Sequence, residues 1–273
     1  MLARMNLREQ RQALAAATEA ANAAGSLMKA NLRRTKKVNE AHQHDIKLEL
    51  DFRCQKVITR TLVRALPDIP VLGEEGQDQS VASAPARWVV DPIDGTVNFA
   101  YGIPHAAVSI ALQIRAESAK AADYPDGYKT VVGIVLDPFV GELFTAIHGQ
   151  PARLNGRPIS VSARRRLDEA MVCVGFAKSL ESLELFQRHA QQLTHRVRKL
   201  RIMGSAALAL AYVADGRFDA YVERGIRLWD IAAGALLIEC AGGEFWKEQL
   251  AGEHVFALCA TNGRLRRQLE SAV

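Results

Sequence analysis

Twelve residues constrain this chain more than any others: Trp88-Val89-Val90-Asp91-Pro92-Ile93-Asp94-Gly95-Thr96-Val97-Asn98-Phe99. The apolar run Trp88 to Val90 has the character of a buried strand. Pro92 lacks a backbone donor, so the strand is expected to stop at Asp91-Pro92. Two carboxylates three residues apart then bracket a turn, Gly95 lets the backbone approach whatever they hold, and Thr96 adds a hydroxyl. A strand end built this way suits a hard cation and a phosphate. Asp-Pro and Asp-Gly are also ordinary turn dipeptides whose side chains satisfy their own backbone, so the stretch alone does not decide between the two readings.

Its surroundings narrow the choice. A chain of 273 residues, 49% hydrophobic and 24% charged, is an ordinary globular chain at the upper edge of one domain. A formal charge of +5 favours anionic partners only mildly. Cys54, Cys173, Cys240 and Cys259 lie far apart with no C-x-x-C spacing, so they read as reduced core residues, with neither a zinc site nor a disulfide framework. The N-terminus carries Arg8, Glu9, Arg11 and Glu19 where a signal peptide needs an apolar block, and no apolar run has the length of a membrane span. A cytoplasmic protein without membrane contact is expected.

Leu7, Leu14, Ala21 and Met28 fall seven apart and predict an amphipathic helix over about 6–31. Arg33 to His44 reads as an exposed connector or hairpin, with His42 and His44 exposed. Asp45 to Asp51 alternates like a half-buried strand or the lead-in to a helix, and a second helix follows with Cys54, Ile58, Thr61, Leu62 and Ala65 on one face. Val71 to Gly73 is a short strand closing on Glu74 and Glu75, and 77–86 a polar loop. Ala107 to Ile114, Thr130 to Leu136 and Gly141 to Ile147 suit an antiparallel sheet, with 115–129 as a surface hairpin loop. Further on, strands are expected over Ala170 to Gly175, Val197 to Met203, Phe218 to Val222 and Val255 to Ala260. Helices are expected around Leu183 to Leu193, from Ala206 to Ala214, from Asp230 to Ala241 before Gly242-Gly243, and at the basic C-terminus.

Acids thus recur where strands close or helices open: Asp45, Glu74, Asp91, Asp94, Glu223 and Asp230. Each alone is an ordinary surface group or cap, and Asp230 could serve as an N-cap. Converging in one cleft, they would call for divalent cations, because buried like charges without a counter-ion are costly. Asp215 and Asp219 look structural. No phosphate-loop, G-x-S-x-G or H-E-x-x-H motif is present, and the seven histidines form no ligand pattern.

Gly73-Glu74-Glu75, Trp88 to Phe99 and Trp229-Asp230-Ile231-Ala232-Ala233-Gly234 together resemble the inositol monophosphatase family of lithium-sensitive, magnesium-dependent phosphatases. Arg201-x-x-Gly204-Ser205-Ala206-Ala207 and Phe218 to Glu223 extend the likeness over nearly the whole chain. The resemblance implies an α/β (α+β) fold, a layered αβαβα sandwich of the sugar-phosphatase type. It implies one domain over 1–273 with halves of about 1–150 and 151–273, usually as a homodimer.

It also implies two or three Mg2+ ions. Glu74, Asp91 and the Ile93 carbonyl would hold the first, Asp91, Asp94 and Asp230 the second, and water near Glu74 a third. Asp45 and Thr96 would activate the attacking water, Gly95 and Thr96 amides would cradle phosphate, and Glu223 with the backbone near Ala206 would meet the alcohol's hydroxyls. The expected substrate is a small phosphate ester, myo-inositol monophosphate first, with fructose 1,6-bisphosphate, histidinol phosphate and NADP as alternatives, and with Arg224 and Arg227 able to meet a second phosphate. Where the family commonly has threonine, this chain has Leu48, which puts the neighbouring loop's geometry in question. The basic clusters Arg164 to Arg166 and Arg196 to Arg201 leave a regulatory, RNA-binding role as a different class of reading, though no aromatics interleave them.

Overall fold

The computed structural model describes residues 5–42, 45–75, 81, 83–176 and 180–270. Helix α1 (Leu7–Asn31) starts on a capping box: Asn6 Oδ1 accepts from Arg8 N (2.9 Å) and Glu9 N (3.1 Å), and Glu9 Oε2 accepts from Asn6 N (2.7 Å). Its inner face is mostly alanine, which lets it lie close to helix α2 (Glu49–Ala65). Between them a hairpin pairs β1 (Val38–His42) with β2 (Asp45–Leu48), so Asp45 to Asp51 is strand first and helix second. Ala65, expected on the inner face of α2, is exposed; the helix is ending there and has turned away from its neighbours. The side chains of His42 and Asp45, and all of His44, fall outside the described residues, as does most of the loop over 77–86.

A seven-stranded sheet follows in chain order: β3 (Val71–Gly73), β4 (Ala86–Asp94), β5 (Ala107–Arg115), β6 (Tyr128–Asp137), β7 (Glu142–Ile147), β8 (Arg153–Leu154) and β9 (Arg157–Pro158). Only β3 and β4 run parallel. A five-stranded sheet has the order β11 (Lys199–Arg201), β10 (Met171–Val174), β12 (Ala220–Arg227), β14 (Val255–Thr261), β13 (Glu244–Gln249). Successive side chains of a strand face opposite ways. In β4, Trp88 and Val90 enter the core under α1 and α2, whereas Val89 enters a second core around α5 (Ala206–Ala214) and α6 (Leu228–Cys240). Because both faces are covered, the strand reads as an unbroken apolar run.

Helices α5 and α6 are apolar nearly all round because they lie between the two sheets. The outer face of the smaller sheet carries a third core, to which Leu193 of α4 (Leu180–Thr194) and Leu269 of α7 (Arg266–Glu270) contribute. The layers are therefore αβαβα, the expected sandwich. All four cysteines are free thiols. No helix among the described residues is long and apolar enough to cross a membrane.

Several expectations need correction. β4 does not stop at Asp91-Pro92: it runs through the proline to Asp94, with its register to β5 shifting between Asp91 and Asp94. Partner β3 has already ended, its last pair being Gly73 with Val90, so the proline's missing donor is not needed on that side. The loop over 115–129 is no mere surface decoration. Tyr124 and Tyr128 are buried, Tyr124 meets Phe256 edge-on at 5.8 Å, and Asp126 pairs with Arg87 Nη2 at 2.6 Å. Arg87 itself is 2% exposed, lies 3.8 Å over the Tyr128 ring and also donates to Gln113. Strand 197–203 contracts to β11, and the strand expected to end at Val222 continues to Arg227 around a register shift at Gly225, whose φ is +92°.

Candidate active site

The C-terminal end of β4, the N-termini of α5 and α6, and the inner face of β12 enclose a cleft of about 810 Å3. Asp91 and Asp94 come from β4 and Asp230 from the first turn of α6. One carboxylate oxygen from each lies within 4.8 Å of the others. In a regular strand, residues three apart face opposite sides; the shifted register between Asp91 and Asp94 lets both reach the same place. Asp230 is not an N-cap. It sits at the third position of α6, where its Oδ2 accepts from Arg227 N at 3.0 Å.

These acids are buried against one another. Asp91 is 2% exposed, and its Oδ1 accepts from Ile93 N at 2.9 Å. Burial first, then the charges of Glu74, Asp94 and Asp230, push its pKa well up. Burial and the charges of Asp94 and Glu74 do the same to Asp230. Burial raises Asp94 to about 6 even though it accepts from the Ser205 hydroxyl, Ala206 N (3.2 Å) and Ala207 N (2.9 Å). Ser205 also caps α5, so a single side chain starts that helix and orients Asp94.

Glu74, at the end of β3, lines the same cleft and donates its amide to Val90 O at 3.1 Å. The Ile93 carbonyl accepts from Thr96 Oγ1 at 2.8 Å. Gly95, with φ +90°, caps the short helix α3 (Thr96–Ala100), and a Cβ there would lie 2.9 Å from Gly204 O. Asn98 ties that turn to the entry of α5, its Nδ2 donating to Met203 O (2.8 Å) and His105 O (2.9 Å). Thr96, Ala206 and Glu223 also face the cleft. Glu223 is pushed up to about 7 by burial. The backbone of Asp45 lies in β2, which packs against α3; its side chain is outside the described residues.

Ser205, Asn98 and Tyr221 belong to motifs quoted above but carried no assigned role in the sequence. Their functions are hydrogen bonds, those of Ser205 to Asp94 and Asn98 to Met203 across more than a hundred positions, which spacing does not reveal. At the departure, Leu48 is buried in the core under α1 and α2. Its amide donates to Asp51 Oδ2 at 2.7 Å, so the reciprocal half of a capping box is present, but α2 has no side-chain acceptor at 48 for the amides of its first turn.

Oxygen-only donors that repel one another fit a hard cation rather than a soft one. Asp91, Asp94 and Asp230 are the residues present to hold it. A sandwich of this kind with such a cleft defines a phosphatase-type enzyme of a generally metal-dependent class. The model described as the inositol monophosphatase family matches residues 9–255, and the chain belongs to that family. It is 38% identical over 247 residues to the Nus factor SuhB of Pseudomonas aeruginosa, a match covering 88% of this chain and 86% of that one. It is 39% identical over 207 residues to the inositol-1-monophosphatase of Rhizobium meliloti, covering 75% and 72%. Among solved structures, the extragenic suppressor protein suhB of Bartonella henselae superposes with a TM-score of 0.83 at 33% identity, over 94% of this chain and 96% of that one.

Proposed function

We propose that this chain hydrolyses a phosphate monoester in a magnesium-dependent reaction, with myo-inositol monophosphate as the leading substrate. The observation that carries the reading is the convergence of Asp91, Asp94 and Asp230, from different layers, into one buried group whose charges repel. Glu74 and the Ile93 carbonyl complete the set that would hold two or three ions. Bound there, magnesium supplies the positive charge that lets a dianionic phosphate approach and makes a nearby water more acidic.

The chain's own groups do the rest. The Thr96 hydroxyl donates its hydrogen bond to the Ile93 carbonyl, which leaves its oxygen lone pairs free to accept from a water. Asp45, on the strand packed against the Thr96 helix, takes that water's proton. Amides of Gly95 and Thr96 hold phosphate oxygens, and Glu223 and the backbone at Ala206 bind the alcohol. The protein works as a single-domain homodimer in the cytoplasm and is inhibited by lithium. Arg227 lines the cleft and could serve a bisphosphate or NADP, whereas Arg224 is already paired with Glu181 at 3.3 Å.

Release of inorganic phosphate across a panel of inositol, sugar, histidinol and nucleotide phosphates, with and without magnesium and lithium, tests the reading. Turnover should require magnesium and fall with lithium; inertness toward every ester would end it. A second reading, RNA binding, draws on the Nus factor name of a relative and on exposed Arg165, Arg196, Arg198, Lys199 and Arg201. Filter binding across a salt series would show a steep loss of affinity if those side chains track a phosphate backbone.

A further inference from the structure

Gly175 follows β10, and its amide donates to Val222 O of the neighbouring β12 at 3.0 Å. Its backbone lies outside the left-handed region, so no turn requires glycine here. Space does. A Cβ would fall inside the Glu223 carboxylate and 2.7 Å from the Tyr221 hydroxyl oxygen. Tyr221 and Glu223 are two apart on β12 and so share a face. The Tyr221 hydroxyl donates to Glu223 Oε2, and all three residues line the cleft. Tyr221 is otherwise packed into the core between the sheets, which leaves its hydroxyl little freedom to move.

We propose that Tyr221 is a positioning residue for substrate recognition. It holds Glu223 in one rotamer, with Oε2 engaged and Oε1 free to accept from a hydroxyl of the alcohol, and Gly175 is the space this arrangement needs. The inference rests on the phosphatase reading and deepens it by naming the residue that fixes the alcohol-binding carboxylate. A glutamate without the tyrosine would sample several rotamers, and the substrate would have to select one of them. The phosphate end of the substrate, held elsewhere in the cleft, is untouched by this arrangement.

The test is steady-state hydrolysis of myo-inositol monophosphate by the wild type, Tyr221→Phe, Gly175→Ala and Glu223→Ala, with inhibition by inorganic phosphate as the control. Tyr221→Phe should raise KM about tenfold, the scale of one hydrogen bond to a charged group, with kcat within about twofold. The inhibition constant for inorganic phosphate should not move. In the Glu223→Ala background the tyrosine substitution should have no further effect, because its action runs through that carboxylate. Equal losses in KM and phosphate inhibition, or additive losses in the double variant, would overturn the proposal. If Tyr221→Phe does not fold, Gly175→Ala and Glu223→Ala decide: a loss confined to KM supports it, and a weakened phosphate inhibition refutes it. A folded wild type inert toward the polyol ester would remove the phosphatase reading, a result distinct from any of these.

Discussion

A carboxylate oxygen of Asp91 and one of Asp230 lie within 4.8 Å of each other across the seam between β4 and α6. Two buried carboxyls that close resist both being ionised, so one is driven to keep its proton, and a cation relieves the same repulsion without one. In the cation-free protein the fold therefore holds protons that the unfolded chain releases. Asp94 rises from 3.8 to about 6, so between those values the folded state binds the more protons and stability falls as pH rises. For this one buried group the loss is about 3 kcal/mol, at about 1.36 kcal/mol per pH unit. Thermal melts of chelator-treated protein from pH 4 to 7 should show a falling melting temperature that magnesium restores at pH 7. Asp94→Asn should flatten the slope; a slope as steep as in the wild type would contradict this account.

Asp91→Asn removes a buried charge that Glu74, Asp94 and Asp230 all repel, while keeping an oxygen for the Ile93 amide. The variant should melt higher than the wild type without metal, gain little from added magnesium, and lose turnover. The loss should be at least about a hundredfold, since disturbing even a metal ligand's outer partners costs 10- to 100-fold. Calorimetry with and without magnesium, together with phosphate release, checks both halves.

Gly133 of β6 is where α6 sits down on the larger sheet: a Cβ there would lie 2.9 Å from Ala233 O and 3.2 Å from its Cα. Since α6 carries Asp230, Gly133→Ala should act at a distance. A destabilisation of about 1–3 kcal/mol, the usual cost of overpacking, is expected in urea unfolding. A larger fall in kcat than in substrate affinity should accompany it as Asp230 leaves its neighbours.

Arg87 joins β4 to the docked hairpin through Asp126 and to the neighbouring β5 through Gln113. Arg87→Ala opens a void beside the Tyr128 ring and leaves the buried Gln113 carbonyl without its donor, and should cost about 1–3 kcal/mol. Arg87→Met, which keeps the volume, should cost less. Because Arg87 does not line the cleft, KM of either folded variant should stay close to that of the wild type.

Much of this architecture was legible because burial writes itself as period. The solid apolar runs of β4, β5 and β6 follow directly from cover on both faces, whereas the seven-residue stripe of α1 was only half right: Ala21 and Met28 are buried, but Leu7 is exposed at the start of the helix. Strand β13 was missed: Glu244 to Gln249 is an edge strand with Lys247, Glu248 and Gln249 among its residues, so its pattern is that of a polar loop. The hairpin over 115–129 misled for a related reason, since its hydrophilic residues hide two tyrosines, Tyr124 covered by Phe256 of the smaller sheet and Tyr128 by Arg87 and the Val81 and Ala84 carbonyls. At the site, the candidate acids were visible as residue types at element ends. Their mutual distances were not, nor was the link from Ser205 to Asp94, because a contact across more than a hundred positions leaves no trace in spacing.

The irregular ladder between Asp91 and Asp94 makes the site depend on one surplus residue: β4 advances three positions there while β5 advances two. Were that surplus ironed out with the acids still three apart, one carboxylate would turn to the far side of the sheet while the strand stayed paired. At this hinge between scaffold and chemistry, the kink in the backbone aims the acids, and the pairing of the strand does not.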